Sequence, residues 1–297
     1  RKLASRGLVE AVTYSFIQSK NAEYFGEAKT ELALVNPISS DLDLMRPSIF
    51  PGLLSAVARN QSRGVNNIKL FEVGPVYMDD KPDGQHNIAC GLRVRSANER
   101  HWSEQIRDVD AIDAKSDAMA LLEFIGVPIN KLKVCRDAPN WFHPGKSASL
   151  RLGKNLLGYF GELHPTPVDA MQVLGPISAF EIFLDNLPQA RSKKPAKDMF
   201  NLPSLHPVNR DFSFIVDKGV EAGEVLSAAL NADRGLVSDA TLFDIYQGDG
   251  VEKNKKSVGV MVVIQPEKET LTDTQIDTVS RSVVDEVEKR TGGILRK

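Results

Sequence analysis

Thr272 and Gln275, three residues apart, form a capping box in which each side chain can satisfy an open backbone donor at the start of a helix. Ile276, Val279, Val283 and Val287 follow at spacings of three and four, which is one apolar face of a helix. Gly292 and Gly293 end it. A helix so firmly bounded needs a sheet to cover, and the residues before it supply one. Residues 209–217 (NRDFSFIVD) alternate, with Phe212, Phe214 and Val216 on one face. Val220 to Ala232 carries Val225, Leu226, Ala229 and Leu230 at helical spacing. Leu236 to Tyr246 reads as a strand, residues 247–256 as a polar glycine-containing hairpin loop, and Ser257 to Gln265 as an apolar strand. Ile294 to Arg296 supplies a last short strand. The order βαββαβ is that of a ferredoxin-like sandwich.

Upstream, residues 187–200 (LPQARSKKPAKDMF) hold two prolines and four basic residues without apolar periodicity. This divides the chain into a domain over 1–187, a linker over 188–200 and a domain over 201–297. In the first domain, strands are predicted at Leu8–Ile17, Leu32–Asn36, Ile68–Tyr77, Ile88–Arg95 and Ile177–Leu184. A hairpin is predicted from Ala148–Leu152 and Leu156–Gly161. Helices are predicted at Ser48–Arg63 and Asp108–Gly126, the latter with an apolar stripe of Ile112, Ala118, Met119, Leu121, Leu122 and Ile125. Strands dominate without strict βα alternation, which predicts an α+β fold on a largely antiparallel sheet.

Composition narrows the function classes. The 297 residues suit about two domains, each with its own core. No apolar run approaches the ~18–20 residues of a membrane helix. The chain opens at Arg1 without a signal-peptide pattern, which suggests a fragment or a processed product. Cys90 and Cys135 sit in no paired motif, so neither a disulfide framework nor a zinc site is expected, and a reducing cytoplasm fits. The net charge of −2 gives no general basic field for nucleic acid, which leaves only a local patch. There is no Walker loop, no GxGxxG and no HExxH, so no catalytic residue and no metal ligand is nominated. His143 and His164 each precede a proline and fit ordered turns.

Residues 45–77 read MRPSIFPGLLSAVARNQSRGVNNIKLFEVGPVY. This run, with WFHPGKSA at Trp141–Ala148 and GYFGELHP at Gly158–Pro165, resembles the catalytic-like domain of bacterial phenylalanyl-tRNA synthetase β subunits. The resemblance implies a class II synthetase-like fold. In active class II cores the strand matching FEVGPVY continues into an arginine that grips the ATP phosphate. Here Met78, Asp79 and Asp80 follow Tyr77. The late glycine-rich motif with its arginine is also missing from residues 180–187 (FEIFLDNL). The fold is thus expected without its chemistry. In the second domain Arg210-Asp211, FDIY at Phe243–Tyr246, KKS at Lys255–Ser257, TLTD at Thr270–Asp273 and Leu295-Arg296 resemble the family's ferredoxin-fold anticodon-binding domain, all in order.

What the resemblance implies is a C-terminal fragment of a phenylalanine–tRNA ligase β subunit. It would scaffold a catalytic α subunit in an α₂β₂ assembly and hold the anticodon stem-loop of tRNA(Phe). The fragment itself would carry no cofactor; the whole enzyme would use ATP and Mg²⁺. Two alternatives stay open: an assembly module without RNA contact, and a single-chain organellar-type ligase.

The strand period predicts an open sheet face bearing Asp211, Ser213, Ile215 and Asp217, then Leu242, Asp244 and Tyr246, with Ser257 and Met261. Phe243 and Ile245 are expected inside. Only one ring, Tyr246, is then available for base stacking, unlike an RNA-recognition motif. RNA contact is therefore assigned to Tyr246 and to edge cations: Arg210, Lys253, Lys255, Lys256, Arg296 and Lys297. Asp211, Asp244 and Ser257 are candidates for shaping the sheet or facing the RNA.

Overall fold

The computed structural model describes residues 1–26, 28–188, 202–266 and 269–296. The chain divides into two compact units, Arg1–Lys193 and Lys194–Lys297. Apart from Pro188, the linker expected over 188–200 lies outside the described residues, as does Lys297.

The first unit runs α1 (Lys2–Ser5), β1 (Val9–Glu10), β2 (Phe16–Ile17), α2 (Ser19–Ala22), β3 (Leu44–Met45), α3 (Phe50–Gln61), β4 (Ile68–Tyr77), β5 (Gln85–Val94), α4 (Ala111–Ile125), β6 (Leu132–Cys135), β7 (Phe142–Leu152), β8 (Asn155–Leu163), α5 (Pro165–Ala170) and β9 (Ile177–Phe183). Its main sheet has seven strands in the order β1-β4-β5-β9-β8-β7-β6. Only β1 runs parallel to its neighbour; the other pairs are antiparallel.

Both faces of this sheet are covered. Leu53, Leu54 and Val57 of α3 pack with Ile88, Cys90, Leu92 and Ala179 on one side. Ala114, Ala118 and Leu122 of α4 pack with Ala89, Leu150, Phe180 and Ile182 on the other. Coverage on both sides explains why the run Ile88–Leu92 of β5 is apolar and buried at every position rather than alternating. Helix α4 begins with a capping box between Asp110 and Asp113 and ends on Gly126 at φ 96°, the left-handed region glycine favours.

Three expectations change in this unit. The predicted strand Leu8–Ile17 pairs only at its two ends, because Thr13 between them turns to Arg46 and Glu72 instead of a ladder. The predicted strand Leu32–Asn36 is mostly irregular: Thr30–Leu32 is a 3₁₀ turn and Ala33 alone bridges Leu44. Ile112 and Ile125, at the two ends of α4, are exposed, since a helix meets a twisted sheet only along its middle turns. The buried centre of that helix includes Asp117, held by Arg6 and Arg93 at 2.6 Å each.

The second unit runs β10 (Val208–Asp217), α6 (Ala222–Asn231), β11 (Val237–Tyr246), β12 (Lys255–Ile264), α7 (Asp273–Thr291) and β13 (Ile294–Leu295). Its sheet order is β11-β12-β10-β13, all antiparallel, as a ferredoxin-like βαββαβ unit requires. The capping box of α7 is present on both sides, and Gly292 closes the helix at φ 66°. Phe212, Phe214 and Val216 face the helices as the alternation predicts, packed with Val225, Ala229, Ile276, Val279, Val283 and Val287.

One correction matters for function. The β11–β12 ladder shifts register between Leu242 and Asp244, leaving Phe243 as the extra residue of a bulge. Leu242, expected outside, therefore packs into the helix-side core. Phe243, expected inside, is 58% exposed.

Candidate nucleic-acid interface

The open face of the four-stranded sheet is built rung by rung from strand register. Tyr246 on β11 pairs with Ser257 on β12, Ser257 with Ile215 on β10, and Ile215 with Ile294 on β13. The next rung carries Asp244, Gly259 and Ser213. Ser213 and Ser257 hydroxyls share a hydrogen bond at 2.8 Å, which fixes the centre of the face.

The Tyr246 hydroxyl donates to the Asp249 carbonyl at 3.2 Å, so the ring is held by the loop that follows it. The Phe243 ring lies against Gly259, where a Cβ would come within 2.8 Å of it. The face thus carries two aromatic rings rather than the one expected. A glycine inside the apolar run SVGVMVVIQ was the available sign, since glycine in a strand often marks a bulge or a close approach.

Arg296 joins the same end of the face. Its backbone N–H donates to the Ser213 carbonyl at 2.7 Å, and a guanidinium nitrogen would lie 3.7 Å from a Cβ at Gly250 in the β11–β12 loop. The structure thus brings Tyr246, Asp244, Ser257 and Arg296 together. Asp211, opposite Met261, shares the face but lies further along it.

The other nominated cations fall elsewhere. Arg210 pairs with Val262, on the same side as Phe212 and Phe214. Lys256 is buried, and its ammonium donates to the Lys218 carbonyl at 3.2 Å, so it is not placed for a phosphate. Lys255 is partly engaged by Glu252 at 3.3 Å, while Lys253 is exposed in the loop.

The first unit shows no matching chemistry at the end of β4. Arg46 is buried and committed: it meets Glu72 at 2.7 Å, the Pro75 carbonyl at 2.8 Å and Thr13 at 3.0 Å. It therefore ties the MRPS segment to the FEVGP strand. After Tyr77, Asp79 accepts from the Lys81 N–H at 2.9 Å in a turn. A methionine and two aspartates there do not fit an ATP triphosphate, since like charge repels it and no donor fork is present. Among the described residues no cluster of three metal-ligating side chains occurs. His143 and His164 accept from the N–H groups of Gly145 and Thr166 at 3.1 and 3.2 Å, which fixes them as turn and cap residues. No described helix is long and apolar enough to cross a membrane.

Known proteins match along the whole chain. A family profile described as the phenylalanyl tRNA synthetase beta chain CLM domain matches residues 1–184, and the ferredoxin-fold anticodon binding domain matches residues 203–296. Phenylalanine–tRNA ligase beta subunits from Nitrobacter winogradskyi, Bradyrhizobium diazoefficiens and Paramagnetospirillum magneticum are 47%, 45% and 45% identical over all of this chain. The chain spans 37–38% of their length. Among solved structures, a pyrrolysyl-tRNA synthetase from Desulfitobacterium hafniense matches at TM-score 0.46 and 16% identity, covering 62% of this chain and 63% of that one. With both profiles matched in sequence order and the second unit folded as βαββαβ, the chain belongs to the phenylalanyl-tRNA synthetase β chain family and carries its ferredoxin-fold anticodon-binding domain.

Proposed function

We propose that the chain is part of the β subunit of a cytoplasmic phenylalanine–tRNA ligase, and that its second unit holds the anticodon stem-loop of tRNA(Phe). The observation that carries this is the rung Tyr246–Ser257–Ile215–Ile294 with Asp244 and Arg296 beside it. Two exposed rings offer stacking surfaces for unpaired loop bases, and every base has a face to stack. The Asp244 carboxylate accepts hydrogen bonds only, so it favours base edges that present N–H donors. Arg296 and the loop Lys253 supply the phosphate contacts, which weaken with salt. Arg210 and Lys256 are left out of this set on their placement.

In the whole enzyme, phenylalanine activation with ATP and Mg²⁺ falls to an α subunit in an α₂β₂ assembly. The turn after Tyr77 in this chain gives no such site. The first unit serves as scaffold. Its exposed apolar residues Val12 (92%), Tyr14 (75%), Val35 (94%) and Ile38 (89%) support docking of that partner.

The test is binding of an anticodon stem-loop to the chain across a salt series. Binding at about 50 mM salt, weakening steeply as salt rises, is expected. Absence of binding at low salt would leave the second unit as an assembly module. Tyr14→Asp should abolish co-purification with the α subunit; unchanged co-purification would move that interface elsewhere.

A further inference from the structure

A cavity of about 200 Å³ sits within the first unit, on the α3 side of the seven-stranded sheet. Its walls are mostly apolar and aromatic, with Phe25, Leu32, Ile88, Trp141, Tyr159 and Phe183 among them. One carboxylate, that of Glu181, also lines it. Glu181 is 4% exposed and sits mid-strand in the apolar run FEIF of β9. Register puts Cys90 of β5 on one side of it and Tyr159 of β8 on the other.

Among the described residues no cation acts on this carboxylate. Arg46, beyond Cys90, is committed to Glu72 at 2.7 Å. Lys29, at the cavity rim, is exposed and donates to the Met78 carbonyl at 2.8 Å. Burial pushes the Glu181 carboxyl up to about 8, and the nearby Trp141 indole offsets part of that effect. That indole N–H is buried and acts on the Glu181 carboxylate, at a geometry poorer than a normal hydrogen bond. A buried acid with no counter-charge is unfavourable, and this one borders a cavity.

We infer that this cavity is a binding site for a small primary amine with an apolar body, its ammonium paired with Glu181 and its body among the aromatic walls. An ammonium supplies the missing counter-charge and gains further from aromatic faces. An apolar cavity of about 150 Å³ already admits a benzene ring, so the size suits a single-ring or short branched amine. Pairing needs the ionised carboxylate, so binding releases a proton while Glu181 is still protonated in the free chain. The flanking Cys90 thiol and Tyr159 phenol are both pushed up by burial, from values already above Glu181's, so they stay protonated while it ionises.

The probes are benzylamine, benzyl alcohol and benzoate, which share a ring and differ in charge. The chain has two tryptophans, and their indole N–H signals can be followed by NMR. Trp102 is 92% exposed and serves as the internal control; Trp141→Phe assigns the other signal. Benzylamine should shift the Trp141 signal saturably and leave Trp102 in place. Its affinity should rise tenfold or more from pH 6 to pH 8. Benzyl alcohol should bind at least tenfold more weakly and benzoate not at all. Glu181→Gln, checked for native unfolding, should lose at least tenfold in benzylamine affinity. Equal binding of the three probes to the unmodified chain, or no Trp141 shift with benzylamine at pH 8, would overturn the inference without reliance on any variant. Full benzylamine affinity in folded Glu181→Gln would overturn it as well.

Discussion

The two sheets of this protein place rungs that include polar side chains in opposite surroundings. In the first unit, Glu72, Cys90, Glu181, Tyr159 and Ser149 lie side by side across five strands, on the face that α3 and the segments carrying Phe25 and Trp141 pack against. In the second, Tyr246, Ser257, Ile215 and Ile294 lie across four strands with the helices on the other side. The strand grammar is the same; the cover differs. Where the sheet is covered, an acid must find a partner inside or give up its charge, and Glu181 shifts to about 8. Where the sheet is open, Asp244 is exposed and can be met by a partner from outside. A covered rung shapes a core; an uncovered one is a surface for recognition.

The largest expected effect lies on the covered side of the second sheet. Phe214→Ala, at a residue with no exposed surface, should cost about 3–5 kcal/mol of stability in denaturant unfolding. Tyr246→Ala on the open side should cost less than ~1 kcal/mol by the same measurement. Equal losses would erase the distinction between the faces.

The next effect concerns the covered acid. Its folded value lies above the unfolded carboxyl value, so the folded state holds the extra proton between them. The stability linked to Glu181 is therefore complete below about pH 4, and is lost as pH rises toward 8. Glu181→Gln should remove that slope and make the chain more stable than the unmodified one at pH 8.5, by roughly 3 kcal/mol. A variant less stable at pH 8.5 would show that a counter-charge exists within the fold.

Tyr246→Ala and Phe243→Ala should each weaken stem-loop binding by about 1–3 kcal/mol, or roughly 5- to 150-fold, if each ring stacks a base. An effect confined to Tyr246 would sharpen the comparison by reducing the platform to one ring. The smallest effect separates the lysines. Lys253→Ala should lower the slope of log affinity against log salt by about one, whereas the buried Lys256 should leave that slope unchanged when replaced by methionine.

Much of the second unit is legible in its sequence. The Thr272–Gln275 box, the apolar stripe of α7 and the alternation of Phe212, Phe214 and Val216 are local patterns, and local patterns survive into the fold. Asp244, Tyr246, Ser257 and Arg296 were legible as candidates for the same reason, through short motifs at fixed positions. Phe243 was not. A period of two assigns it to the core, and one inserted residue reverses that assignment. The cations were the least legible group, because Arg210, Lys253 and Lys256 look alike in sequence and differ only in which way the backbone turns them.

The first unit shows the same division more sharply. Its main strands and both long helices follow from composition and period, and the missing arginine after Tyr77 is visible in sequence alone. That Glu181, Trp141 and Tyr159 border one cavity follows only from strand register and tertiary packing. The sequence by itself determined the elements, the order of the two units and the family, because these rest on neighbours within a few positions along the chain. Only the tertiary structure decided which rings face outward, which lysine is buried and where an acid is left without a counter-charge. Those depend on contacts between residues far apart in the chain, such as Phe243 on Gly259 and Glu181 beside Tyr159, and no local pattern encodes the cover that a distant helix provides.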